Sequence, residues 1–179
     1  MPKQLTVGVV HRVLQYLLNE GVPIHDLPVI LETLADYAGQ TKDPLTLCEF
    51  CRQALRGHIV NRSISESGTL YALVLAPELE AELKQALGPG GNGLTGLDPR
   101  RVEQIAQQTG QLADAIQDRT DTMPVLVVAP GIRPHLSRLT ERRLPELAVL
   151  SFAEVTDDVN LQLADTVRLS EPLPQEMAI

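Results

Sequence analysis

The chain contains no tryptophan, and aromatic side chains make up only 3% of its 179 residues. A core built without them must come from Leu, Val, Ile and Ala. Basic residues are also scarce. Fifteen Lys and Arg face 23 Asp and Glu, which leaves a net charge of −8 and a pI near 4.9. Without clustered cations to neutralise phosphates, nucleic acid is excluded as the expected partner, and an anionic membrane surface is disfavoured for the same reason. No stretch reaches the roughly 18–20 continuous apolar residues of a membrane-crossing helix. The start, MPKQLTVGVV, has neither the long apolar centre nor the cleavage site of a signal peptide. The chain therefore reads as a soluble polypeptide. Met1 and Pro2 stand close to the first helical pattern, as they would in a piece of something larger.

Cysteine is nearly absent as well. Cys48 and Cys51 form a lone CxxC with no second pair and no nearby histidine ligands, which is a weak zinc signal. A redox CxxC sits at a helix N-terminus, whereas this one falls well inside a helical pattern. Both thiols are expected to pack as small core side chains.

What is present divides into two halves of different period. In TVGVVHRVLQYLLNE (6–20), Val7, Val10, Leu14, Leu17 and Leu18 recur at helical spacing, and Gly21 ends the run. A second helix opens at Asp26 with Pro28 in its first turn and carries Leu27, Ile30, Leu31, Leu34 and Ala35 to Gly39. Asp43-Pro44 repeats that device and opens a third helix expected to run to about Val60, with Cys48, Cys51, Leu55 and Ile59 along one face. After the polar connector NRSISESG the period changes. Strands are expected at 69–77, 125–129, 147–151 and 161–169, and helices at 77–87, 97–119 and 132–143. The expected fold class is α+β or α/β. It comprises a three-helix subdomain (1–66), a small α/β subdomain with a short, partly parallel sheet (67–169), and a loose tail (170–179). Val125–Ala129 and Leu147–Ser151 are the parallel pair, joined by a helical crossover.

Candidate chemistry centres on MPVLVVAPGIRPHL (123–136), where an apolar run meets a Pro-Gly turn followed by Arg133 and His135. The turn lacks the glycines, Lys and Ser/Thr of a phosphate loop and the Gly-x-Ser-x-Gly of a nucleophile elbow. GPGGNG (88–93) supplies glycines but no following Lys-Ser/Thr, and reads as a mobile linker. It and SISESG (63–68) are the expected hinges between rigid parts. His135 stands near Arg138, Arg142 and Arg143, while Glu141, six positions on, is poorly placed to orient it. That basic run is expected to be a solvated helix face. His11, His25 and His58 fall on separate elements, Glu78 and Glu82 on a helix surface, and Asp157-Asp158 in a turn. No catalytic, cofactor-binding or metal-ligating residue follows from these spacings, and no cofactor is expected. Pro130-Gly131 reads as a corner, with Arg133 and His135 facing water or a protein partner. The rival reading is a small-molecule-binding or hydrolytic α/β domain that uses the Ala129–Arg133 turn. A purely structural piece without catalytic or binding chemistry of its own is a third.

Taken together, HRVLQYLLNEGVPIHDLPVILETLADYAGQTKDP (11–44), EFCRQAL (49–55), GLDPRRVEQI (96–105) and PVLVVAPGIRPHLSRLTERRLPELAVLSFAEV (124–155) closely resemble the bacterial type III export-gate family, the flagellar FlhA proteins and their injectisome counterparts. His25 stands where that family usually has Arg, and Cys48 and Cys51 where it has Thr and Val. The resemblance implies the last two of four cytoplasmic subdomains of a bacterial inner-membrane protein that assembles as a nine-membered ring. It implies no catalytic residues. Its expected partners are export chaperone–substrate complexes, components of the ATPase complex and its stalk, and copies of itself, with the fragment on the cytoplasmic face and out of contact with the membrane. The flagellar branch is favoured. The family's known chaperone pocket lies between the first two cytoplasmic subdomains, so no binding residue carries over.

Overall fold

The structure is a computed structural model that describes residues 5–88, 94 and 96–169. The linker glycines at 89–93, the tail at 170–179 and the Met1-Pro2 start lie outside the described residues.

Helix α1 (Val7–Asn19) is capped by Thr6, whose side chain accepts from the Val9 N–H. It ends in a paired motif in which Gly21 N–H donates to Leu18 O at 2.9 Å and Val22 N–H to Leu17 O at 2.8 Å. Gly21 supplies the left-handed φ of +68° that this ending requires. Helix α2 (Leu27–Tyr37) starts at Asp26 as expected, but that side chain makes no cap hydrogen bond. The Asp43 carboxylate does cap α3 (Pro44–Ala54), accepting from both the amide and the hydroxyl of Thr46 at 2.8 and 2.7 Å. The third helix was expected to continue to Val60. Instead it breaks at Leu55, where ψ rises to 6°, and resumes as the short α4 (Arg56–Asn61). Gly57, a weak helix former, follows the break.

The connector after α4 contains a hydrogen-bonded turn. Ser65 N–H donates to Thr69 O at 2.9 Å, Ser65 Oγ accepts from Thr69 N–H, and Gly68 N–H donates to Ser65 O. These bonds lead into β1 (Thr69–Leu75), which is followed by α5 (Pro77–Leu87), α6 (Pro99–Thr120) and β2 (Val125–Val128). Helix α7 (Arg133–Thr140), β3 (Val149–Ser151) and β4 (Asn160–Val167) complete the order. Helix α7 stops three residues short of Arg143, because 141–143 form turns.

The sheet order is β3-β2-β1-β4, and every pair is parallel, so the parallel pairing expected of two strands extends to all four. Strand β2 is buried along its whole length, as a central parallel strand should be. Period-two alternation sorts its neighbours onto two faces. Leu70, Ala72, Val125, Val127 and Leu150 pack against Val13, Leu17, Ile30, Leu47 and Leu55 of the helical half. Leu73, Leu75, Leu126 and Val128 pack against Leu79, Leu83, Ile105, Ile116 and Leu136 from α5, α6 and α7. The helical half thus forms one outer layer of a three-layer arrangement. Among the described residues no helix is long and apolar enough to cross a membrane.

Candidate functional site

The Pro130-Gly131 corner is built as the sequence implies. Strand β2 ends at Val128, and Ile132 and Arg133 both donate backbone N–H bonds to Ala129 O as α7 begins. Arg133 does not face water or a partner. It is 1% exposed, the most voluminous of the fully buried side chains. In α7 it shares a face with Leu136 and Thr140, at i+3 and i+7, which turns it toward the helical half. Its Nε donates to Glu49 Oε2 at 2.7 Å, its Nη2 to Glu49 Oε1, and its Nη1 and Nη2 to the two oxygens of Glu20 at 3.0 Å each. Burial alone would lower the affinity of this guanidinium for its proton. The hydrogen bond and charge of Glu49, followed by Glu20, reverse that and raise its pKa.

A second buried arginine, Arg52 of α3, extends the cluster. Its Nη1 lies 2.5 Å from Glu20 Oε2, and its Nη2 lies 2.8 Å from Glu154 Oε1. The latter contact is an attraction of charge without hydrogen-bond alignment, since Glu154 Oε1 and Arg52 Nε have no hydrogen-bond partner among the described residues. Glu154 is anchored through Oε2, which accepts from the amide and hydroxyl of Ser151 at 2.6 and 2.9 Å. Glu49 feels burial most strongly, which raises its pKa, and the bond from Arg133 offsets part of that rise. Two guanidiniums and three carboxylates, drawn from α1, α3, α7 and the segment after β3, therefore join the helical half to the sheet half.

The other polar residues singled out in the sequence lie near this seam, in the core or on the surface. His135 is half-buried, and burial, then the charges of Arg138 and Arg133, lower its pKa against a smaller opposing pull from Asp43. Arg138 stacks over the Tyr16 ring of α1, 5.0 Å from its centroid. Arg143 pairs with Glu103 on the surface at 2.7 Å. Cys48 and Cys51 lie in the core at 1% and 0% exposure, and burial pushes both thiol pKa values up, that of Cys51 to about 12. His25 and His58 meet edge to face on the surface, with His58 Nε2 4.0 Å from Asp26. No group of three or more His, Cys, Asp or Glu among the described residues is arranged to hold a metal ion.

Beside the cluster, a groove of about 400 Å³ runs between α1, α4, α7 and the approach to β3. Leu18, Val22, Ile59, Leu144, Pro145 and Leu147 give it apolar walls, Glu20 and Arg52 line its inner end, and Arg62, Glu141 and Glu146 border it. Reading the sequence did not find the cluster. One signal was available: Arg52 and Arg133 occupy positions on the apolar stripes of their helices, beside Cys48 and Leu136.

Comparison with known proteins places this arrangement. The flagellar biosynthesis protein FlhA of Proteus mirabilis is 38% identical over 169 residues, 93% of this chain and 23% of its own length. The nonameric SctV-C structure from EPEC superimposes with a TM-score of 0.80 at 31% identity, covering 92% of this chain and 49% of that one. The Chlamydia pneumoniae CdsV structure in complex with CdsO gives a TM-score of 0.81 at 25% identity, covering 93% of this chain and 48% of that one. The chain thus spans about a quarter of the length of the curated relatives it matches. With residues 1–160 matching the FHIPEP family model, the chain belongs to the FHIPEP family of type III export-gate proteins and corresponds to part of their C-terminal cytoplasmic domain.

Proposed function

We propose that the chain acts within the cytoplasmic face of a bacterial type III protein-export gate. There it contributes to a ring and docks export chaperones, their substrates and components of the ATPase complex. Family membership over residues 1–160 carries this reading. The geometry supports it: the one polar side chain of the Ala129–Arg133 turn, that of Arg133, is held by Glu20 and Glu49. Work by surface contact rather than by catalysis fits the relatives, which are named as flagellar biosynthesis and secretion system apparatus proteins. The flagellar branch is favoured by 38% identity to the Proteus mirabilis FlhA against 30% to the Salmonella typhimurium secretion system apparatus protein SsaV.

In this proposal residues 1–66 act as the neighbour-contacting unit, 67–169 as the docking unit and 170–179 as a tail. Leu18, Leu27 and Leu31 of α1 and α2 are 41–52% exposed, an outlay of apolar surface suited to a subunit neighbour. On the opposite half, Leu161 and Leu163 of the edge strand β4 are similarly open to a partner. The nonameric neighbour structure supports self-association, and the CdsV–CdsO complex supports an export-apparatus partner. The test is to introduce Leu27→Glu and Leu31→Glu into the full-length protein and measure ring assembly by sedimentation and secretion in cells. Loss of rings with an intact fold is the expected result. Unchanged rings would refute the role assigned to the helical half, and unimpaired secretion after deletion of the gene would refute the function itself.

A further inference from the structure

Among its ion-paired members the buried cluster has one more carboxylate than guanidinium. Arg52 and Arg133 face Glu20, Glu49 and Glu154, so two positive charges meet three negative ones. A buried excess charge is costly unless a counter-charge can reach it. Of the three carboxylates, Glu20 is the one that lines the groove; its side chain is 19% exposed, that of Glu49 16% and that of Glu154 1%. Its Oε2 accepts from both Arg52 and Arg133, and its Oε1 from Arg133 alone. A carboxylate offers about four acceptor positions, so one on Oε1 is open. The same groove is lined by Leu18, Val22 and Ile59 and by the exposed residues Glu141 and Glu146.

We propose that this groove is a socket for a single basic side chain, arginine or lysine, presented by a partner protein. The apolar walls match the methylene stem of such a residue, Glu20 matches its charged head, and the rim carboxylates attract the cation on its way in. Insertion brings the cluster to three positive and three negative charges. The partner is therefore a protein with a basic docking surface, consistent with the net charge of −8 on this chain. The chain's own Arg62 stands at the mouth, where its guanidinium donates to the Gly21 carbonyl and keeps its charge, so an incoming cation must compete with it. The inference deepens the docking reading given above and rests on it.

The test is an amide NMR titration of the 179-residue chain with Nα-acetyl-arginine methylamide. Matched titrations use the norleucine and glutamate derivatives. Saturable shifts confined to groove positions such as Gly21, Val22, Ile59 and Leu147 are expected from the arginine probe alone. They should collapse in about 0.5 M salt and weaken about threefold or more in the Glu141→Gln, Glu146→Gln double variant. Both substitutions are on exposed residues and leave the core intact. An equal response to norleucine or glutamate, or no saturable response, overturns the proposal. So does a response that emerges only in Arg62→Gln, because the occupant would then be the chain's own arginine. The probe involves no export component, so its failure leaves ring assembly and partner docking unaffected as separate measurements.

Discussion

Replacing Arg133 with methionine keeps most of the side-chain volume and removes the guanidinium at the centre of the seam. In the native protein that group spans Glu20 and Glu49 with four charge-assisted hydrogen bonds and is 1% exposed. Among the described residues, its loss leaves Glu49 with no ion-pair partner and Glu20 with Arg52 alone. Breaking a buried pair from one side costs roughly 3–5 kcal/mol, because the surviving charge stays desolvated. Domains of this size are stable by about 5–15 kcal/mol, and each kcal/mol shifts the melting midpoint by about 2–4 °C. The Arg133→Met variant is therefore expected to melt about 6–20 °C lower, measured by calorimetry with urea unfolding as a check. Adding Glu49→Gln to that variant should cost far less than Glu49→Gln costs alone, since the carboxylate it removes is already unpaired. A loss under about 1 kcal/mol, or strict additivity of the two substitutions, would refute the claim that this cluster joins the halves.

Three further outcomes follow from the geometry. Asp43→Ala removes the α3 cap and should cost about 1 kcal/mol in urea unfolding; Asp43→Asn, which keeps an acceptor, should recover most of it. His135 has its pKa lowered by burial and by two neighbouring arginines, so the fold favours its neutral form. The stability it contributes is complete above its ordinary value of 6.5 and is lost as pH falls through the lowered value. His135→Gln should therefore flatten the stability profile on the acid side of neutrality, as urea midpoints across pH will report. Cys51, with its thiol pushed up to about 12, and the equally buried Cys48 should resist a thiol reagent at pH 8 in the native protein and react fully in denaturant.

Local chemistry explains why so much of the architecture was legible. Caps at Asp43 and Asp98, the glycine ending of α1 and the alternation along β1 and β2 are all decided within a few residues of chain. The strand-to-helix corner at Pro130-Gly131 belongs to the same class. Arg133 does not, because its partners Glu20 and Glu49 lie 113 and 84 positions away, and no short window contains both sides of the contact. Its neighbours in sequence, His135 and Arg138, suggested a solvated basic face. The decisive feature was its place on the stripe with Leu136, where burial outranks residue type. The break at Leu55 escaped notice for a related reason. Cys48, Cys51, Leu55 and Ile59 keep one face across it, so the pattern continues while the backbone does not.

The sheet closes in an order that the ribosome dictates. Strand β1 sits between β2 and β4, and its far side is completed only when Thr69 pairs with Asn160, 91 positions later. Until then the emerging polypeptide carries an open flank on its central strand, a ready template for the wrong neighbour. Chains released before Asn160 should aggregate, while those ending just beyond Val167 should remain dispersed.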